Sequence, residues 1–288
     1  MNIVSEVKTF QTVTTETVII GVYKHTEQMK NWAQFSGFYG EMADVWLRSG
    51  EIATEQNKIT RIPYTGENKA LKRILFVGLG EKKNITKDTL RETFATVGKQ
   101  LKVIKVNAAS IWLESFTTEQ VDELEVAFLA GEGMNLGYYT VPNYKTSSNE
   151  VASYFDEIQF VTEANMEDVS SKFSVGAIYA EAVNEARSLV NLPPNLLTAT
   201  DIGNYAKDLA KQYDFEIEVL GKAELEELGM GGILGVNRGS TEEPRLITIK
   251  YHGKDKWEDV IGFVGKGVTY DTGGYSIKTK LGMVGMKG

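Results

Sequence analysis

Strand-like apolar runs alternate with helix-patterned stretches through the first half of the chain, and this alternation restricts the fold more than any other feature. TVIIGVY at 17–23, KITRIPY at 58–64 and RILFVGLG at 73–80 read as strands. Leu90, Phe94, Val97 and Leu101 then recur at helical spacing behind Thr86, a candidate N-cap. SIWLES at 110–115 reads as the next strand, followed by a helix with Val121, Leu124 and Phe128 on one face and a last strand, IQFVTE, at 158–163. This order predicts α/β layers around a mostly parallel sheet. The polar PNYKTSSNE at 142–150 predicts a surface loop.

A helix over about 168–190 follows, its face marked by Tyr179, Val183, Ala186 and Val190, and it ends at NLPPN. Beyond it the pattern starts again. A helix over about 201–212, with Thr200 as N-cap, turns Ile202, Tyr205 and Leu209 inward. Then come a strand FEIEVL, a short helix AELEEL, a glycine-rich loop GMGGILGVNRGS, and strands RLITIKY and VIGFVGK. The predicted organisation is an N-terminal α/β domain at 1–165, a linker helix at 166–190 and the first part of a second domain at 191–288. Taken alone, that second part is half a sheet with one face uncovered.

A net charge of −8 without a basic stripe disfavours a nucleic-acid binder, whose affinity rests on clustered Lys and Arg. The absence of cysteine excludes disulfides, thiolate zinc sites, iron–sulfur clusters and cysteine nucleophiles. No export signal stands at the start, and no apolar run nears the roughly 18 residues of a membrane helix. A cytoplasmic protein is the expectation. Because His25 and His252 are the only histidines, a metal site here would be built mainly from carboxylates and other oxygen or amine ligands.

Chemistry concentrates in residues 262–288, GFVGKGVTYDTGGYSIKTKLGMVGMKG. Lys266 follows the apolar run Val260, Ile261, Phe263 and Val264, where an unpaired charge would be costly to bury. A neutral amine is a usable metal ligand; the bland alternative is a lysine snorkelling from a strand end. Asp271, placed after a strand and before Gly273 and Gly274, has the position of functional carboxylates in open α/β sheets, or of an ordinary Asx-turn. A single DTG does not make an aspartic protease, which needs two carboxylates sharing a proton. Nor is GKG a phosphate loop, since Gly267 stands where Ser or Thr is required.

Three ordered stretches carry a resemblance: EARSLVNLPPNLLTATDIGNYA at 185–206, MGGILGVNRGSTEEPRLITIKY at 230–251 and VGKGVTYDTGGYSIKTKLGMVGMKG at 264–288. They resemble the leucyl (cytosol) aminopeptidases of peptidase family M17, strongly after residue 185 and more weakly before 150. The resemblance implies a macro-like N-terminal α/β domain followed by the opening part of an α/β catalytic domain with a central mixed sheet. It also implies a hexameric, two-metal exopeptidase that takes N-terminal residues, often leucine, from peptides. On the family's pattern Lys266 and Asp271 are metal ligands, with Asp271 bridging two divalent cations, and Lys278 is a catalytic residue that polarises the scissile carbonyl. Manganese or zinc would fill such a site, with magnesium or cobalt also compatible.

The family's pattern continues with an aspartate at the position that would be 289, then another aspartate, a glutamate and a catalytic arginine. With two ligands the segment would hold metal weakly, so these 288 residues are expected to be catalytically incomplete. Val284 stands where many members are acidic, and Tyr275 where an aliphatic residue is common. The alternative is a non-catalytic interaction or ligand-binding module, or a degenerate fragment.

Overall fold

The computed structural model describes residues 2–7, 9–25, 32–40, 42–141, 157–283 and 285–286. It divides into two units, Met1–Ala186 and Arg187–Gly288. The first contains β1 (Asn2–Val7), β2 (Thr17–Tyr23), α1 (Trp32–Tyr39), α2 (Met42–Ser49), β3 (Ile59–Pro63), β4 (Arg73–Gly80), α3 (Lys87–Val103), β5 (Ala108–Trp112), α4 (Glu123–Tyr138) and β6 (Glu157–Val161). α5 (Met166–Asn191) crosses the division.

The sheet runs β1-β6-β5-β2-β4-β3 and is parallel except for β3, which pairs antiparallel with β4. It is therefore mixed, with its parallel part in the middle. β2 and β4 are apolar on both faces because both faces are covered. Val18, Ile20 and Val22 of β2, with Ile74 and Phe76 of β4, pack against Trp32, Phe35 and Ala43 of α1 and α2. Ile19 and Tyr23, with Leu75, Val77 and Leu79, pack instead against Leu90, Phe94 and Val97 of α3 and the apolar faces of α4 and α5. Asp44 ties the smaller helical layer together, accepting from Trp32 Nε1 at 2.6 Å and Ser36 Oγ at 3.0 Å.

Glycines set how closely the helices of the larger layer approach. A Cβ on Gly133 of α4 would lie 2.4 Å from the Arg91 carbonyl oxygen of α3, and one on Gly137 only 2.0 Å from that of Ala95. Across the other side of α4, a Cβ on Gly131 would meet Phe173 O of α5 at 2.2 Å, and one on Gly176 of α5 would meet Phe128 O at 2.1 Å. This reverses the predicted face of α5. Its buried positions are Val169, Phe173, Gly176 and Ala180, while Tyr179, Val183 and Val190 are exposed. Small residues carry the contact because larger ones would hold the helices apart.

β2 and β5 are registered only at Val18–Ser110 and Ile19–Ile111. Beyond that point the chain after β5 turns into a 3-10 segment, Leu113–Phe116, so the strand ends earlier than its apolar sequence predicts. Ser115 Oγ accepts from the Gly21 amide at 2.8 Å, and the buried Tyr23 hydroxyl donates to Phe116 O at 2.9 Å. The chain leaves β2 toward β4 on one side and returns through β5 on the other, which makes this the switch point where open α/β sheets place ligands. Here it is occupied by Tyr23 and the 3-10 turn.

The second unit holds α6 (Ala199–Tyr213), β7 (Glu216–Leu220), α7 (Lys222–Glu227), α8 (Gly231–Asn237) and β8 (Leu246–Lys250). Thr198, not Thr200, caps α6: its Oγ1 accepts from Asp201 N at 3.2 Å while Asp201 Oδ2 accepts from Thr198 N at 2.8 Å. Gly203, Ala206 and Ala210 are buried on α6, flanked by half-buried Ile202, Tyr205 and Leu209. β7 and β8 form an antiparallel pair. The predicted glycine loop at 229–240 contains α8 instead. VIGFVGK forms no strand either: Ile261, Phe263 and Val264 are exposed, with no neighbouring strand among the described residues to take up their backbone groups. The loop predicted at 142–150 lies outside the described residues.

Two outcomes test this packing. Gly133→Ala lowers unfolding stability by about 2 kcal/mol, although helix propensity alone would raise it by about 1 kcal/mol; urea denaturation decides the sign. The second concerns Glu114, whose Oε1 accepts from Thr162 Oγ1 at 2.7 Å and Glu163 N at 2.8 Å while its buried Oε2 has no partner. Burial, aided by the charge of Glu123, raises the pKa of its carboxyl. A carboxyl raised in the folded state loses stability as pH climbs from its unfolded pKa through its folded one. Glu114→Gln therefore unfolds at higher urea than the parent at neutral pH, and the difference disappears when both are measured below pH of about 4.

Candidate functional site

Two of the three charged residues singled out near the end of the sequence, Asp271 and Lys278, meet on one turn in the second unit. Asp271 opens it, and its Oδ1 accepts from the Gly273 amide at 2.8 Å, an Asx-turn. Gly273 and Gly274 follow with φ of 79° and 82°, and Tyr275 and Ser276 continue in the left-handed region at 50° and 56°. Two backbone bonds close the turn, Ile277 N to Gly274 O at 3.0 Å and Lys278 N to Thr272 O at 2.9 Å.

This path brings Lys278 back across the turn. A Cβ on Gly273 would stand 2.8 Å from Ile277 Cγ2 and 2.9 Å from Lys278 Cγ, so the glycine serves both the positive φ and the passage of the lysine stem. Lys278 Nζ then reaches Asp271 Oδ2 at 2.7 Å. Both side chains are about one-third exposed, 31% and 38%. Contacts to sulfur hold the flanks: Tyr270 OH to Met283 Sδ at 3.4 Å and Asp271 N to Met286 Sδ at 3.3 Å. No spacing rule in the sequence signals either methionine.

The surroundings of Asp271 favour its charged form. The Lys278 hydrogen bond, then the Gly273 amide, hold its carboxyl below the usual aspartate range, and the field of Lys266 adds to the effect. Lys266 itself is exposed on a segment that is neither helix nor strand, so the burial that made it a candidate amine ligand is not found. Val284 lies outside the described residues, and Tyr275 points fully into solvent.

The donor set does not fit a metal pair as it stands. Asp271 is one carboxylate with both oxygens engaged, its ion pair is with Lys278 and not Lys266, and no three His, Asp or Glu residues cluster as metal ligands among the described residues. His252 is engaged elsewhere, with Glu216 Oε2 at 3.1 Å and the Trp257 ring at 4.7 Å. What the turn does offer is a fixed carboxylate and a fixed ammonium in contact, both reachable from solvent. A surface cavity of about 420 Å³ between α4 and α5 includes none of these residues. No helix among the described residues is long and apolar enough to cross a membrane.

Two family profiles match the chain in order. Residues 19–148 match the N-terminal domain of the cytosol aminopeptidase family, and residues 184–288 match its catalytic domain. A probable cytosol aminopeptidase of Bacillus subtilis (strain 168) is 41% identical over 273 residues, covering 95% of this chain and 54% of that protein. The chain thus spans about half the length of this relative. Among solved structures, the bottromycin maturation enzyme BotP in complex with Mn aligns with a TM-score of 0.73 at 27% identity, covering 94% of this chain and 52% of that one. A mutant tomato leucine aminopeptidase shares the fold, with a TM-score of 0.69 at 16% identity over 86% of this chain and 50% of that one. With matches to both domains of one family, in sequence order and over most of its length, the chain belongs to the cytosol aminopeptidase family.

Proposed function

We propose that these residues form the N-terminal domain, at 1–165, the linker helix, at 166–190, and the opening part of the catalytic domain, at 191–288, of a divalent-metal-dependent aminopeptidase. Its substrates are peptides with free N-termini, leucine among the residues released, and it works in the cytoplasm as a hexamer. The observation that carries this reading is the meeting of Asp271 and Lys278 on one turn, inside the segment matched to the family's catalytic domain. In this reading Asp271 and Lys266 would hold the metal together with ligands that these residues do not supply, and Lys278 would supply positive charge to the reacting carbonyl. The manganese in the BotP complex supports a divalent ion, with manganese or zinc as the first choices.

The role of the N-terminal domain in this reading is structural support. Its switch point is closed by Tyr23 and Ser115, which leaves the chemistry to the second unit. One carboxylate is too few to hold a catalytic metal pair, so the 288-residue chain is inactive alone.

Hydrolysis of leucine p-nitroanilide with added manganese or zinc tests both statements. The 288-residue chain gives background rates, and appreciable turnover by it overturns the claim of incompleteness. A chimera extended with the C-terminal portion of the Bacillus subtilis relative hydrolyses the substrate. Asp271→Asn in that chimera lowers the rate by at least about 100-fold, the scale on which metal sites respond even to loss of a supporting residue. An inactive chimera that is folded and metal-loaded overturns the proposed function.

A further inference from the structure

Glu114 is a buried carboxyl group to which the proposed function gives no task. It stands in the 3-10 turn Leu113–Phe116, directly before the Ser115 and Phe116 that cover the strand ends of β2 and β5. Thr162 Oγ1 and the Glu163 amide, just past the end of β6, donate to its Oε1 at 2.7 Å and 2.8 Å, while its buried Oε2 has no partner among the described residues. The charge that acts on it is acidic, Glu123 on the first turn of α4. We propose that Glu114 is a proton-operated latch. With its carboxyl neutral it pins the turn Leu113–Phe116 to the end of β6 and keeps the switch point covered; on losing its proton it swings into solvent and lifts that turn.

Two properties of the turn couple it to that proton. The first is that an ionised carboxylate with one oxygen unpaired is costly to keep buried, and Oε2 meets no water until the side chain moves out. The second is that the turn is held mostly by side chains. Its own backbone bond, Thr117 N to Glu114 O, is long at 3.4 Å. Ser115 Oγ donates to Trp112 O at 2.6 Å and accepts from Gly21 N at 2.8 Å, Tyr23 OH donates to Phe116 O at 2.9 Å, and Glu114 supplies the tie toward β6. Burial first, then the charge of Glu123, raises the pKa of Glu114 in the seated turn, whereas water surrounds its carboxyl once the turn lifts. Lifting is therefore disfavoured below the ordinary carboxylate range and becomes easier as pH climbs from that range through the seated value. Of the other ionisable groups at the turn, Tyr23 is kept protonated by burial, Lys82 lies over the Tyr23 ring at 5.6 Å, and Glu163 meets the carboxyl through its amide. Ser115 O sits so close to β2 that a Cβ on Gly21 would lie 2.6 Å from it, so a lifted turn bares strand backbone at the place where open α/β sheets take ligands.

Native-state amide hydrogen exchange on the 288-residue chain, followed by NMR and corrected for the intrinsic rate at each pH, tests the latch. The Gly21 amide donates to Ser115 and reports the seating of the turn, while the Leu75 and Phe76 amides of β4, a strand paired on both sides, report opening of the whole sheet. Gly21 is expected to open more readily than Leu75 and Phe76, and its opening constant rises by about threefold or more between about pH 4 and about pH 8. In Glu114→Gln, which has no proton to lose, the constant stays level over that range. Thr162→Val removes a hydroxyl that steadies the charged form, so the rise continues to higher pH; this variant decides the matter if Glu114→Gln disturbs the turn. Equal protection of Gly21 and the β4 amides overturns the proposal, because the turn then opens only with the sheet. So does a Gly21 constant that is level with pH in the parent, or one that rises in Glu114→Gln as it does in the parent.

Discussion

The close approach of α3, α4 and α5 through their glycines is the constraint on which the first unit depends. Bare backbone at Gly131, Gly133 and Gly137 on α4, and at Gly176 on α5, lets three helices lie against one face of the sheet with carbonyl oxygens where side chains would otherwise stand. That spacing determines what fills the layer beneath. Phe94, Phe116, Phe160 and Phe173 fit between helices and strands, with ring pairs at 4.8 Å and 5.3 Å. Arg91 spans α3 and α4 to reach Glu132 Oε2 at 2.6 Å.

The same constraint explains what the sequence reveals and what it hides. Helix α3 is legible because its core contacts are large residues, Leu90, Phe94, Val97 and Leu101, behind a threonine cap. Helix α5 is legible as a helix but not in its orientation, since hydrophobic periodicity follows large side chains and the packed face here uses Gly176 and Ala180. α6 repeats the lesson more mildly, with Gly203, Ala206 and Ala210 at the centre of the face and the larger residues beside it. Its cap was equally readable: Thr198 and Asp201 have the spacing of a capping box, which Thr200 lacks. The run at 260–264 fails for another reason. Apolar sequence suits a strand, but a strand also needs neighbours, and the second unit's described sheet has only β7 and β8.

The two units use their strand ends differently. In the first, the opening between β2 and β5 is sealed by hydrogen bonds from Gly21 and Tyr23 to the turn after β5, and a side chain at Gly21 would strike Ser115 O at 2.6 Å. That end of the sheet is a packed core. In the second, the residues after β8 leave the sheet and form turns whose polar groups remain accessible. Membership in one family covers both units, and in the second a carboxylate and an ammonium meet on a closed turn within reach of solvent.

Why that relation is fixed follows from the backbone of the turn. Four successive residues, Gly273 to Ser276, have positive φ, and for Tyr275 and Ser276 each such placement costs about 1–2 kcal/mol relative to right-handed backbone. The conformation is therefore not a local preference of the sequence beyond the glycine pair. It is held by the Asx-turn at Asp271, the two backbone bonds that close the loop and the lysine that returns to the carboxylate.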